Sequence, residues 1–250
     1  MSDPILLRRI DGAVARLTLN DPGRANVLSG AMMAQLSHTL ADLAADPAVR
    51  VIVLGASGRI FCAGHDLAEL RDADAAAHAA LFVQCADLMQ AIVNGPKPVI
   101  ARVQGAAVAA GCQLVASCDL AYSADTARFA VSGVNLGLFC STPGVALGRA
   151  VGRKAALEML LTGRFVPAPE AANLGLINAC VPAADLDAAV DKAALAIAAK
   201  APAAIALGKR VFGRQMELPL AEAYGVASAA MVENLGLACA KAGIEAFLKG

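Results

Sequence analysis

Apolar residues punctuated by Arg and Thr make two strand-like runs, 5–10 (ILLRRI) and 13–19 (AVARLTL). Asp11-Gly12 between them is a hairpin turn signal. The polar, turn-rich DPGRANVLSG follows, and Ser29 stands where a helix N-cap is expected. Met32, Met33, Leu36, Leu40 and Leu43 then recur at helical spacing up to Asp46-Pro47, and the β-branched run at 49–54 predicts a strand. Strand, helix, strand in that order is a βαβ unit, which implies a parallel pair with a right-handed crossover.

Further along, Leu81, Cys85, Leu88, Met89 and Ile92 share one side of a predicted helix over 76–94 that ends at Asn94-Gly95-Pro96. The pattern then predicts a strand at 97–103, a short helix at about 110–116, a strand in CDLAYS and a run around Phe129. Residues 132–144 read as a loop, with Ser141-Thr142-Pro143 as cap and first turn of a helix reaching 150. Beyond Arg164, helical segments dominate near 168–173, 183–200, 202–214, 219–237 and 240–248, with one short strand in LINACV. The class is α/β, an α/β core carrying an α-helical C-terminal part.

Composition narrows the function classes. In 250 residues, 58% hydrophobic, the chain can bury a sizeable core, and 21 basic against 21 acidic residues leave no electrostatic case for nucleic acid or an anionic membrane surface. Aromatic residues are 4% with no Trp, which argues against base-stacking platforms. The apolar runs are cut by Gly, Pro or charge short of a membrane span, and the first residues, MSDPILLRRIDG, resemble neither a signal peptide nor an Arg/Ser-rich leader. A soluble, cytoplasmic protein is expected. The seven cysteines form no CxxC pair and the three histidines fall at no metal-ligand spacing, so neither a disulfide framework nor a metal site is expected.

Two stretches carry the candidate chemistry: RIFCAGHDLAEL at 59–70 and QGAAVAAGCQLVASCD at 104–119. Each follows an apolar strand-like run and breaks into Gly and Ala, so that backbone N–H groups at a turn or helix start are left to point at a bound oxygen. Two such loops can hold an oxyanion between them. Either loop can equally be a tight strand-to-helix packing turn. No Ser, His and Asp set stands at motif spacing for a hydrolase.

FCAGHDL at 61–67, GAAVAAGCQLVASCDLAYS at 105–123, RAVGRKAALEMLLTGR at 149–164 and AANLGLINACVP at 171–182 together resemble the crotonase (enoyl-CoA hydratase/isomerase) superfamily over essentially the whole chain. GLFCSTPGVALGRAV at 137–151 is similar to the subgroup called enoyl-CoA hydratase domain-containing protein 3. The resemblance implies a core of repeated ββα units at 1–190, a helical trimerisation region at 191–250, and homotrimers or hexamers acting on acyl-CoA thioesters, with coenzyme A present only as part of the substrate.

It also implies site residues. The two N–H groups that stabilise a thioester enolate map to His65 and Ala110, and the positions of the family's two catalytic glutamates map to Gln113 and Gly133. An amide orients water but has no usable proton affinity, and glycine supplies nothing, so hydration is expected to be slow and to rise if glutamate is restored at both. Coenzyme A is expected against Arg24, Ala25, Ala63, Gly64, Asp66 and Leu67, and the acyl group against Asn135, Phe139 and Cys140. The His65 imidazole is either a proton shuttle or packing, Cys140 either a nucleophile or an inert buried thiol, and Arg24 either a phosphate ligand or a solvated charge. Asp119 reads as structural, and Lys249 as a weak phosphate candidate.

Overall fold

The structure is a computed structural model that describes residues 3–249. The predicted hairpin is present: β1 (Leu6–Asp11) and β2 (Val14–Leu19) pair antiparallel with Asp11 opposite Val14, and Gly12 takes the left-handed φ of +59° that the turn needs. The helix α1 (Gly30–Ala45) starts at Ser29, whose side chain accepts from the Met32 N–H. It returns the chain to β3 (Val51–Ala56), which runs parallel to β2, completing the βαβ unit.

Then come β4 (Ile60–Cys62), α2 (Leu67–Asp72), α3 (Ala75–Asn94), β5 (Val99–Val103), β6 (Ala106–Val108) and α4 (Ala110–Ser117). They are followed by β7 (Leu120–Ala124), β8 (Arg128–Ala130), α5 (Ser141–Ala150), α6 (Arg153–Thr162), β9 (Val166–Pro167), α7 (Ala168–Leu174), β10 (Ala179–Val181), α8 (Leu186–Ala198), α9 (Pro202–Gln215), α10 (Leu220–Gly236) and α11 (Ala238–Lys249). Six strands form one sheet in the order β1-β2-β3-β5-β7-β10, parallel except at its first pair. A second sheet of four strands has the order β4-β6-β8-β9. The hydrophobic pattern did not predict β4 and β6. Three residues are too few for a period of two to register, and their partners are distant in sequence. Two smaller corrections fall in the loop at 132–144: Ser132–Leu136 is a 3₁₀ helix, and Cys140 rather than Ser141 takes the cap position of α5.

Residues alternate between the two faces of the main sheet. Val14, Val51, Val53 and Ile100 meet Leu186, Val190, Ala194 and Ala198 of α8 on one side; residue 190 thus lies inside a helix packed on the sheet. Leu17, Ile52 and Leu54 face the other side, where Phe61 and Phe129 of the second sheet are fully buried. α3 is 20 residues long and apolar enough, by length and composition, to cross a membrane. Its stripe of Cys85, Leu88, Met89 and Ile92 is instead buried in the core, against α1 and α4.

One polar knot ties α9 to the core. Lys209 Nζ donates to the Ile92 and Lys97 carbonyls at 2.8 and 3.1 Å and to Asp119 Oδ2 at 2.7 Å. The same carboxylate accepts from the Val99 N–H, a structural role of the kind its sequence position suggests. α10 and α11 bury only Ala223 among their residues and leave Tyr224, Met231, Val232, Leu235, Phe247 and Leu248 exposed.

Candidate active site

β4 ends at Cys62 and hands the chain to a turn, Ala63-Gly64-His65, before Asp66 caps α2 by accepting from the Ala68 N–H at 3.0 Å. The turn is fastened to the loop at 21–28 by backbone pairs, Ala63 N–H to Ala25 O at 3.1 Å and Leu28 N–H to Gly64 O at 2.8 Å. Asn26 locks that loop. Fully buried at a left-handed φ of +52°, it donates to the Ser57 and Ile60 carbonyls and accepts from the Asp21 N–H. Sequence reasoning missed it, although an Asn in a turn-rich stretch is the one side chain suited both to left-handed backbone and to bonding its neighbours' main chain.

The second turn lies directly against the first. A Cβ on Gly64 would come within 3.0 Å of Ala109 Cβ, 3.1 Å of Val108 O and 3.3 Å of Ala110 N, and Gly64 itself sits at φ +98°. A Cβ on Gly111 would be 2.2 Å from Cys62 O. Only glycine lets β4 and the start of α4 approach this closely. Ala109 caps α4 at φ +50°, ψ −116°, a conformation that costs a residue with a Cβ on the order of 1–3 kcal/mol. Such an outlier is held only where the surroundings over-determine it; here the Ala109 N–H is fixed to Ala130 O at 2.8 Å. Among the described residues, neither the His65 N–H nor the Ala110 N–H has an acceptor, and Ala110 is the first residue of a helix. Two adjoining loops thus offer two free donors, one at the positive end of a helix, an arrangement able to hold a developing oxyanion.

The side chains are less provisioned. The His65 ring packs edge-on against Phe82 of α3, centroids 5.5 Å apart, with Nε2 buried and without a partner among the described residues, and burial lowers its pKa, favouring the neutral ring. Gln113, only 4% exposed, accepts at Oε1 from the Cys85 thiol at 3.9 Å. Gly133 has no room for a side chain: a Cβ would sit 2.4 Å from Leu138 O and 2.7 Å from Cys140 Sγ. A glutamate there would have to reshape the loop, which corrects the expectation that restoring glutamate at both positions simply raises hydration. Cys140 Sγ accepts from the Gly133 N–H at 3.3 Å, and burial pushes its thiol pKa up, away from a nucleophile.

Arg24 pairs with Asp66 and lies 3.7 Å from Asp21, and its side chain is 54% exposed. Ala25 and Ala63 meet through the backbone pair above, and Leu67 is exposed. Asn135 donates to Gly163 O at 3.4 Å, and Phe139 is exposed. Gly64 and Ala110 are therefore brought together, with His65 next to the first and Gln113 three residues along the helix from the second, and Arg24 joins Asp66 at the edge of the first loop. Lys249 ends α11 and pairs with Glu245.

The chain is similar to known proteins over nearly all of its length. The enoyl-CoA hydratase/isomerase family profile matches residues 9–249. The mouse enoyl-CoA hydratase domain-containing protein 3, mitochondrial, is 47% identical over 243 residues, 97% of this chain and 81% of that protein. A crystal structure of enoyl-CoA hydratase from Mycobacterium smegmatis superposes with a TM-score of 0.97 at 51% identity, covering 99% of this chain and 97% of the other. Human enoyl-CoA hydratase domain-containing protein 3 superposes at 0.96 with 44% identity and 98% coverage of both. The cytoplasmic expectation is overturned: the mouse, frog, rat, human and zebrafish relatives, 42–47% identical, are all named as mitochondrial proteins. Composition and net charge report on the folded surface and carry no information about compartment. With the profile spanning the two loops and both sheets that position them, this chain belongs to the enoyl-CoA hydratase/isomerase family.

Proposed function

We propose that the protein is an enzyme of the enoyl-CoA hydratase/isomerase type that acts on acyl-CoA or enoyl-CoA thioesters and stabilises an enolate between the His65 and Ala110 N–H groups. The observation that carries this reading is the pair of acceptor-free donors on two loops in van der Waals contact. As negative charge grows on the thioester oxygen, two fixed dipoles stabilise it with little reorganisation, and each donor contributes on the order of 10²–10³ in rate. Coenzyme A binds as part of the substrate along Arg24, Ala25, Ala63, Gly64, Asp66 and Leu67, with the exposed part of the Arg24 guanidinium meeting a phosphate. The acyl group lies toward Asn135, Phe139 and Cys140. The large apolar side chains left exposed on α10 and α11 support assembly into a homotrimer or hexamer through the C-terminal helices.

The test is exchange of the α-proton of a bound acyl-CoA into D₂O, followed by mass spectrometry. Exchange is expected in the wild type and is expected to be lost in a folded His65→Pro, Ala110→Pro double variant, which lacks both donors. Equal exchange in the two proteins overturns the reading. A second reading, a non-catalytic acyl-CoA-binding or assembly protein, is favoured by one observation, the amide and the glycine at 113 and 133. Wild-type exchange rules it out.

A further inference from the structure

Outside the two turns, α3 ends in Asn94-Gly95-Pro96. Of the seven asparagines in the chain, Asn94 alone precedes a glycine. It is exposed, and its side chain makes no hydrogen bond among the described residues. The Gly95 N–H closes no further helical bond and has no acceptor among those residues either. Space fixes the glycine: a Cβ at 95 would come 2.6 Å from Ala91 O. Any side chain at 95 that would shield the Asn94 carboxamide from the nitrogen after it is thereby excluded.

Asparagine is among the thermolabile residue types, and a following glycine exposes the reason. The glycine nitrogen gives its proton to solvent hydroxide and attacks the asparagine Cγ. A C–N bond forms there, the bond from Cγ to the amide nitrogen breaks, and ammonia leaves with a proton from water, closing a cyclic imide. Water then opens the ring at either carbonyl, which yields aspartate or isoaspartate. The net change is one water taken up and one ammonia released, with no oxidant or reductant. The helical ψ of Asn94 holds the two atoms apart, yet Asn94 is the last residue of α3, where helix ends fray, and its rotation breaks no helical hydrogen bond.

The pair lies between two carbonyls gripped from α9: Lys209 Nζ donates to Ile92 O at 2.8 Å and to Lys97 O at 3.1 Å. Aspartate leaves the backbone path unchanged and adds a negative charge at the negative end of α3. Isoaspartate routes the backbone through the side chain and inserts one carbon between those carbonyls, so that one ammonium no longer spans both. We infer that Asn94-Gly95 is a site of spontaneous deamidation in the folded protein, and that its isoaspartyl product loosens α9 from the core.

The experiment keeps the full chain in warm, mildly alkaline buffer, digests it at intervals, and weighs and fragments the peptides so that isoaspartate is told from aspartate. Asn94 is expected to gain one mass unit, with one oxygen from labelled water, about tenfold faster than Asn173, which is also exposed and helical but precedes Leu174. In the isoaspartyl fraction, hydrogen exchange of the α9 amides is expected to be about tenfold faster than in fresh protein, the loss of one hydrogen bond from a charged donor. Aged Asn94→Gln and fresh Asn94→Asp are expected to exchange like fresh wild type. Gain of mass in the urea-unfolded chain alone, or in neither state, overturns the site. Unchanged α9 exchange in the isoaspartyl fraction overturns the loosening, and an equal rise in fresh Asn94→Asp overturns the backbone route by assigning the effect to charge.

Discussion

The turns at 62–66 and 108–111 and the loop at 132–140, which the resemblance assigns to one site, are built on different terms. The two turns are over-determined: their backbones are fastened by hydrogen bonds, Gly64 and Gly111 stand where a Cβ does not fit, and the strained Ala109 is held in place from behind. The loop exposes Leu136, Leu138 and Phe139, and most of its hydrogen bonds are local, Gly137 N–H to Val134 O, Leu138 N–H to Gly133 O and Gly133 N–H to Cys140 Sγ, with Asn135 reaching Gly163 O. The main-chain geometry that the proposed oxyanion hole needs is thus held in the turns, while Gly133, the position the resemblance gives to the family's second glutamate, has neither side chain nor space for one. The lesson is that a backbone donor survives any change of side chain that keeps the fold, whereas a side-chain base is lost by one substitution.

The sharpest way to break this contrast is Gly111→Ala. A methyl 2.2 Å from Cys62 O forces the two turns apart. Loss of about 3 kcal/mol of stability is expected in denaturant unfolding, with α-proton exchange down about 10³-fold in the molecules that remain folded. Next comes Gln113→Glu, at a position that already accommodates a side chain of the same shape. Hydration of crotonyl-CoA is expected to rise by up to about 10²-fold in a coupled optical assay, since one acid-base group is restored.

Gly133→Glu tests the other half. No gain in hydration is expected, and stability should drop by about 2 kcal/mol as the loop gives way around Leu138 O. A gain equal to that of Gln113→Glu would erase the distinction between the two regions. Ala109→Gly relieves the positive φ and is expected to raise stability by about 1 kcal/mol in the same unfolding assay, with exchange rates within a few-fold of wild type.

The smallest effect is in pH. The pKa of His65 is lowered by burial from 6.5, so the unfolded chain binds the proton more readily. The His65 contribution to stability is therefore fully present above about pH 6.5 and is lost as pH falls through the folded pKa. Acid unfolding curves of wild type and His65→Leu are expected to differ below that pH and to run parallel above it.

Local patterns carried most of the main sheet and its helices. Ser29 capping α1, the turn at Gly12 and the stripe of Cys85, Leu88, Met89 and Ile92 in α3 all depend on neighbours within a few residues, and each was readable. The second sheet was not, because β4 and β6 exist only through pairing with each other and with β8. The Lys209 knot was equally hidden, since its acceptors lie 90 to 117 residues away. The site followed the same division. The glycine-alanine turns were visible as breaks in strand patterns, whereas the staple of Asn26 and the thiol behind Gln113 were not, as both join segments that come together only in the folded chain.

What the sequence determined by itself was the set of local conformations and the family to which their order belongs, because turn chemistry, caps and hydrophobic period act over a few residues. The tertiary structure alone decided that Gly64 and Gly111 let two turns approach closely, that Gln113 Oε1 accepts from the Cys85 thiol, and that position 133 has no space for an acid. Close approach and hydrogen-bond direction are set by atoms far apart along the chain, and no local pattern encodes them.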